Sequence, residues 1–264
     1  MKYLVLNWKL FPESETRAIE LVNSICESFN KLDLPIQKKY KLILCPPSIF
    51  ISPIQKFLIA KNFENILSLG GQNAFYHNRG AYTGEISPTM LKSFDVKYCL
   101  VGHSERRLLF KETDEDINGK IRTLLNQNIK PILCLGENSR TKKEDFTSFK
   151  IKNKLFDQMS SAFKNNQPEE MKEVILCYEP VWAISANEPT SMPDPEDTRK
   201  IIGNIKFWIE TRFNEVKLRD IPVIYGGSVD DSNIKEYLEI SDGVLIGNAS
   251  TKKPEILRVI KNLN

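Results

Sequence analysis

Eight short apolar runs, most of them separated by segments with apolar residues at three- and four-residue spacing, constrain the fold of this chain most strongly. The runs are apolar throughout, as expected of parallel strands that are covered on both faces. Eight is also the number of strands that closes a barrel when strands alternate with helices. We therefore predict an α/β fold in which residues 1–264 form a single (β/α)8 barrel domain. The predicted strands are Tyr3–Leu6, Leu42–Cys45, Ile66–Leu69, Tyr98–Val101, Ile132–Leu135, Val174–Tyr178, Pro222–Tyr225 and Val244–Ile246.

The segments between the runs carry the signals of helices that pack on a sheet. From Glu13 to Phe29, apolar side chains fall on one helical face. Asp194, Pro195 and Glu196 combine a cap, a first-turn proline and an acid near the positive end of a helix dipole. Both patterns predict helices on the outside of the barrel.

Composition excludes several classes of protein. The 37 basic and 34 acidic residues are interspersed, and the net charge of +3 leaves no basic arm for nucleic acid. No apolar stretch is long enough to cross a bilayer, and the apolar run after Met1 is too short for a signal peptide. We therefore expect a cytoplasmic protein that binds neither nucleic acid nor membrane.

The cysteines indicate a reducing compartment. The five cysteines are odd in number, scattered and without C-x-x-C spacing, which fits neither a disulfide framework nor a zinc site. Cys177 lies close to a candidate catalytic acid, Glu179, and a nucleophilic role is one interpretation of it. Its place in a buried strand favours the other interpretation, a small apolar side chain that packs.

Polar side chains follow the apolar runs at the carboxyl ends of the predicted strands, where the active site of a parallel barrel forms. Asn7 and Lys9 follow the first run, His103 the fourth and Glu179 the sixth. A single glutamate, lysine or histidine in such a position is more often a surface group or a helix cap. Because several of them share one end of the barrel, we predict that they converge on one site.

A carboxylate, an imidazole and an ammonium that meet at one mouth form a proton-transfer set. Glu179 can act as the base, His103 can donate to an oxygen where charge develops, and Lys9 can stabilise an enediolate and attract an anion. The sequence has no cluster of His, Cys, Asp or Glu with metal-ligand spacing. We therefore predict a catalytic site that uses neither a metal nor a cofactor.

Glycines after the last two strands are suited to hold a phosphate. Gly227 and Ser228 follow the seventh run, and Gly247 and Asn248 follow the eighth. Open backbone N–H groups there, with the Ser228 hydroxyl, would bind a phosphate. A pair of glycines by itself is usually only a turn. Together with the proton-transfer set, however, these loops predict a small phosphorylated molecule as the substrate.

The strand-end segments resemble those of the triosephosphate isomerase family, in the family's order from Asn7 to Ser250. The most specific of them is Tyr178–Ile184, which reads YEPVWAI. The other matching segments are Asn7–Lys9, Gly80–Ser87, Val101–Arg107, Cys134–Glu137, Tyr225–Val229 and Gly243–Gly247.

The resemblance implies reversible conversion of dihydroxyacetone phosphate into D-glyceraldehyde 3-phosphate, in glycolysis and gluconeogenesis. It implies that Glu179 abstracts the proton and that His103 polarises the carbonyl as a neutral imidazole. Asn7 and Lys9 would line the site, and Glu105 would be an acid near Lys9.

The resemblance also implies a lid. Trp182, Ile184 and Leu245 match an apolar clamp that dries the base once the lid closes. Ser185 would offer its backbone N–H to the phosphate.

A homodimer is implied as well. The segment from Gln72 to Glu85, with Thr83 at its tip, would reach the region around Asn7 and Lys9 in a second copy.

The chain departs from the family at the lid tip. The family has Gly-Thr-Gly, whereas Ser185-Ala186-Asn187 stands here in a longer segment, and this predicts fewer lid conformations. Asn248 replaces a glycine, and asparagine tolerates left-handed backbone.

These departures leave two alternatives open. One is an isomerase for another short sugar phosphate, such as a tetrulose phosphate. The other is a barrel that binds phosphorylated ligands without turnover. Glu179, His103 and Lys9 argue against the second alternative, because a site that only binds needs no poised base and acid.

Overall fold

Eight parallel strands close into a barrel in which each strand pairs with its neighbour in chain order and the last pairs with the first. The computed structural model describes residues 1–138, 149–184, 192–217 and 220–264. The strands are β1 (Lys2–Asn7), β2 (Tyr40–Cys45), β3 (Leu67–Gly71), β4 (Tyr98–Val101), β5 (Lys130–Leu135), β6 (Ile175–Tyr178), β7 (Val223–Tyr225) and β8 (Gly243–Ile246). The predicted (β/α)8 architecture is confirmed.

β3 differs most from its predicted bounds. It continues through Gly70 and Gly71, which pair with Tyr98 and Cys99 of β4, so the strand that was predicted to end at Leu69 is two residues longer at this end. A Cβ added at Gly70 would lie 2.6 Å from the Cys45 Sγ atom. Close packing inside the barrel therefore requires a glycine at this position.

Helices cover the outside of the barrel and bury their apolar stripes against it. Two predicted helices are confirmed, one of which begins after a cap in which the Asp194 carboxylate accepts N–H bonds from Glu196 and Asp197. The helices are α1 (Glu15–Asn30), α2 (Leu34–Lys39), α3 (Ile51–Lys61), α4 (Pro88–Ser93), α5 (Ser104–Leu109), α6 (Asp114–Asn126), α7 (Phe149–Ala162), α8 (Pro168–Met171), α9 (Pro195–Arg212), α10 (Ile234–Ile240) and α11 (Lys253–Lys261). Within the described residues, none of them is long and apolar enough to cross a membrane.

The barrel interior is a packed apolar cluster that supports the site from below. Cys134 and Cys177 lie opposite each other in this cluster, on β5 and β6, and both are fully buried. Burial raises the pKa of the Cys177 thiol, which disfavours the reactive thiolate. This agrees with a packing role for Cys177.

Candidate active site

Glu179 and His103 meet at the carboxyl end of the barrel. Glu179 directly follows β6 and is 3% exposed, and His103 follows β4 and is 4% exposed. The Glu179 Oε1 atom lies 2.9 Å from His103 Nε2, and the other carboxylate oxygen accepts the N–H of Ser104 at 3.0 Å. The structure therefore brings the predicted base and the predicted electrophile into direct contact.

The N-terminus of α5 determines which nitrogen of His103 carries the proton. His103 is the N-cap of α5, and its Nδ1 accepts the backbone N–H of Glu105 at 3.3 Å. Because Nδ1 is an acceptor, the neutral ring carries its proton on Nε2, the nitrogen that faces Glu179. Capping and catalysis are therefore compatible roles for His103.

Burial and mutual attraction oppose each other in this pair. Burial favours the neutral form of both groups, whereas attraction across the short contact favours the charged forms. The attraction prevails, so the pKa of His103 lies above its ordinary value and the pKa of Glu179 lies below its ordinary value. In this contact the attraction favours the charged imidazole, whereas the family resemblance implies a neutral one.

Replacing Glu179 by glutamine should lower the pKa of His103, because burial then acts without the attracting carboxylate. The chain has two histidines, so the His103 ring signals can be followed by proton NMR in a pH titration. A His103 pKa that stays the same or rises in the variant would show that Glu179 does not control this ring.

Lys9 is held beside the pair in an unusual backbone conformation. Its φ is 52°, in the left-handed region that side chains other than glycine seldom adopt. The Asn7 side chain accepts the Lys9 N–H at 3.0 Å, and the Gln72 amide donates to the Lys9 carbonyl at 2.7 Å. The Lys9 ammonium lies 2.7 Å from a Glu105 carboxylate oxygen, as the family resemblance implies. In this structure, Asn7 thus holds the backbone of Lys9.

A cavity of about 280 Å³ opens above these side chains. Most of the predicted site residues line it: Lys9, His103, Glu105, Glu179, Ile184, Ser228, Leu245, Gly247 and Asn248. Asn7 instead lines a neighbouring cavity of about 630 Å³. Among the described residues, no group of three or more His, Cys, Asp or Glu side chains is placed to hold a metal ion.

The residues that were predicted to bind the phosphate lie in the loops after β7 and β8. Asn248 begins a 3-10 turn, Asn248–Thr251, so a left-handed backbone is not needed there. The Ser228 hydroxyl donates to the Ala183 carbonyl at 2.8 Å, so Ser228 ties the β7 loop to the segment after β6. A phosphate contact of Ser228 stays a prediction.

The apolar clamp residues separate into two groups. Ile184 and Leu245 are buried and line the cavity next to Glu179. Trp182 does not line the cavity, and its indole N–H donates to the Glu137 carboxylate at 2.7 Å. The Tyr178 hydroxyl donates to the same carboxylate at 3.0 Å. Ser185 and the rest of the predicted lid tip, residues 185–187, lie outside the described residues.

A barrel with a buried carboxylate–imidazole pair and an ammonium at the carboxyl ends of its strands defines a class of proteins equipped for acid–base chemistry on a small anion. The family model described as triosephosphate isomerase matches residues 2–263. The chain belongs to the triosephosphate isomerase family.

Several curated relatives match along nearly their whole length. Triosephosphate isomerase from Alkaliphilus oremlandii is 37% identical over 256 residues, which cover 96% of each chain. The enzyme of that name from Caldanaerobacter subterraneus subsp. tengcongensis is 33% identical over 258 residues, again 96% of each chain. The one from Dictyoglomus turgidum is 32% identical over 263 residues, 99% of each chain.

Proposed function

We propose that this protein is an aldose–ketose isomerase that interconverts dihydroxyacetone phosphate and D-glyceraldehyde 3-phosphate by proton transfer through an enediolate. The observation that carries this proposal is the Glu179–His103 contact of 2.9 Å beside a small cavity, in a chain of the triosephosphate isomerase family. A buried base and a buried donor in contact are the minimum equipment for moving a proton between neighbouring carbons.

The proposed reaction needs only groups of this chain. The Glu179 carboxylate takes a proton from C1 of dihydroxyacetone phosphate, and the C–H electron pair moves to form the enediolate. The Nε2–H of His103 donates to the carbonyl oxygen as negative charge develops on it. A proton then passes from the C1 hydroxyl to the C2 oxygen by way of His103 Nε2. Protonated Glu179 returns a proton to C2 while the C1–O bond becomes the carbonyl, which gives the aldehyde and restores the carboxylate.

The remaining site residues bind the substrate in this proposal. The Lys9 ammonium attracts the anion, and the cavity residues Ser228, Gly247 and Asn248 receive the phosphate through N–H and hydroxyl groups. Ile184 and Leu245 keep water from Glu179, which strengthens the electrostatic interactions of the base. The lid tip at Ser185 would complete the phosphate contacts.

The proposal extends to the setting of the reaction. We place the enzyme in the cytoplasm, in glycolysis and gluconeogenesis, and propose that residues 1–264 act as one domain without a metal or cofactor. The family of the chain supports the first part, and the closed sheet that includes all eight strands supports the second.

A coupled assay tests the substrate. With a chelator present and no added metal, the native chain should convert glyceraldehyde 3-phosphate, and kcat/KM should be far lower for a four-carbon sugar phosphate. A clear preference for the four-carbon substrate would favour the related isomerase instead. Binding without turnover of either sugar would contradict an enzymatic function.

We further propose a homodimer in which a protrusion of each copy inserts into a recess of the other. The protrusion is the segment from Gln72 to Glu85. The Phe75 N–H donates to the carbonyl of Ile86, just after the segment, at 2.8 Å, and Thr83 at its tip is exposed. The recess is the cavity that Asn7 lines, next to Lys9. Around this recess Leu10 is 89% exposed and Leu109 is 72% exposed. Apolar exposure of this extent is typical of an interface, and a twofold axis would insert each protrusion into the other copy.

Replacing Thr83 by arginine should weaken the dimer, because the charge and bulk at the tip would not fit a recess in the second copy. We expect a rise in the dissociation constant of about 30-fold or more, the size typical of a central interface residue. Sedimentation velocity measures this change, and activity at the same concentrations should fall with the dimer. Ile59→Arg, at an exposed apolar position of α3 outside the recess, is the matched control. A native chain that is fully active as a monomer would rule out this arrangement.

A further inference from the structure

Gln158, on α7, is a buried polar side chain whose amide makes both of its hydrogen bonds to a single residue. It is 4% exposed among the buried apolar residues Leu155, Met159 and Ala162 of the same helix. Its Oε1 accepts the N–H of Gly136 at 3.0 Å, and its Nε2 donates to the Gly136 carbonyl at 3.1 Å. A helix outside the barrel therefore holds both backbone groups of one residue at the mouth.

Gly136 needs these bonds because β4, the neighbouring strand on one side, ends before it could pair with Gly136. β4 ends at Val101, which is opposite Leu133, so no residue of β4 pairs with Gly136. On the side of β6, the carbonyls of the residues before and after Gly136 accept N–H bonds from Glu179 at 2.8 Å and Val181 at 3.1 Å. Buried backbone groups without a partner are costly, and the Gln158 amide takes the place of the missing strand.

Gly136 in turn lies directly against the backbone of Glu179. A Cβ added at Gly136 would be only 1.9 Å from the Glu179 carbonyl oxygen and 2.6 Å from its carbonyl carbon. No side chain fits between the two residues, so Gly136 packs directly against the Glu179 backbone. A shift of Gly136 would move the Glu179 backbone and, with it, the carboxylate.

We propose that Gln158 is a positioning residue for Glu179, which it acts on by fixing Gly136 against the Glu179 carbonyl. Gln158 does not line the cavity, so it works through Glu179 and does not touch the substrate. This inference rests on the proposed function, in which Glu179 is the base.

The first test replaces Gln158 by methionine, which has a similar length and makes neither hydrogen bond. In the native background we expect kcat to fall about 10- to 100-fold, the cost of a small misplacement of a reacting group. KM should change about threefold or less, because the groups around the cavity remain. In the Glu179→Gln background the same substitution should change the residual rate by about threefold or less. An equal loss in both backgrounds would overturn the proposal.

The second test needs no substrate. If Gln158→Met lets the Glu179 carboxylate move away from His103, the pKa of His103 in an NMR titration should fall. Asn118→Leu is the matched control, because the Asn118 amide also supports this helix but bonds to its C-terminal end, where it donates to the carbonyls of Ala162 at 2.8 Å and Lys164 at 3.0 Å. Both variants should lower Tm, but only Gln158→Met should shift His103. An unshifted His103, or an equal shift in the control, would overturn the proposal.

A third variant covers the case in which Gln158→Met does not fold. Gln158→Glu keeps the shape, but only a protonated carboxyl can both accept from the Gly136 N–H and donate to its carbonyl. The kcat of this variant relative to the native enzyme should therefore rise as the pH falls, and a ratio independent of pH would contradict the proposal. If the native chain itself does not isomerise triose phosphates, the proposed function fails, while the His103 titration still decides the role of Gln158.

Discussion

Replacing Glu179 by glutamine should reduce kcat about 10²- to 10⁴-fold, the contribution of a positioned general base, and leave the fold and substrate binding nearly intact. The amide has the shape of the carboxylate, and its oxygen can still accept the Ser104 N–H. What it lacks is the basic lone pair that takes the proton. The coupled assay measures kcat, and calorimetry with dihydroxyacetone phosphate measures binding.

A matched control separates this effect from loss of charge in general. Glu173 pairs with Lys130, the first residue of β5, at 2.8 Å, so it lies at the opposite end of the barrel. Glu173→Gln should leave kcat close to the native value. An unchanged kcat in Glu179→Gln would remove Glu179 from the mechanism.

Replacing His103 by glutamine should reduce kcat about 10²- to 10³-fold, as expected when one preorganised donor to a developing oxyanion is lost. The His103 ring performs two tasks at once, since Nδ1 accepts the Glu105 N–H and Nε2 faces Glu179. A glutamine side chain can cap α5 with its oxygen but does not place a donor where the ring places Nε2. The substitution therefore separates capping from catalysis.

The exposed His77 provides the control for this substitution, and His77→Gln should have nearly native kcat at a protein concentration where sedimentation shows the same oligomeric state as the native chain. His103 and Glu179 act on the same step. The loss of kcat in the double variant should therefore be much smaller than the product of the losses in the two single variants. A native rate in His103→Gln would mean that the group that polarises the carbonyl lies elsewhere.

The fold could be predicted because strands buried on both faces leave uninterrupted apolar runs in the sequence. The prediction was less accurate where a strand residue is not apolar. β5 begins at Lys130 and continues through Pro131, although a charge and a proline resemble the end of a loop. Gly70 and Gly71 resemble a turn but pair as strand. Tertiary packing decides these positions, and local sequence does not record it.

The reacting groups could be predicted because they follow apolar runs, and a closed barrel brings all such positions to one mouth. The groups that hold them could not. Gln72 and Gln158 bond to backbone atoms, and neither residue type nor spacing indicates such a partner in the sequence. The left-handed backbone of Lys9 could not be predicted from the sequence either, since that conformation is unusual for lysine. Asn7 was predicted to line the site, but it lines the neighbouring cavity and bonds to the Lys9 N–H.

The central claim is that a proton moves between neighbouring carbons by way of the Glu179 carboxyl. Isomerisation of dihydroxyacetone phosphate in ²H₂O, followed by NMR, tests this claim most directly. A carboxyl proton exchanges with solvent, so the glyceraldehyde 3-phosphate that forms should carry deuterium at C2 in a major fraction of molecules. Product that forms at the native rate with hydrogen alone at C2 would show that the hydrogen never passes through an exchangeable group, and would contradict Glu179 as the base.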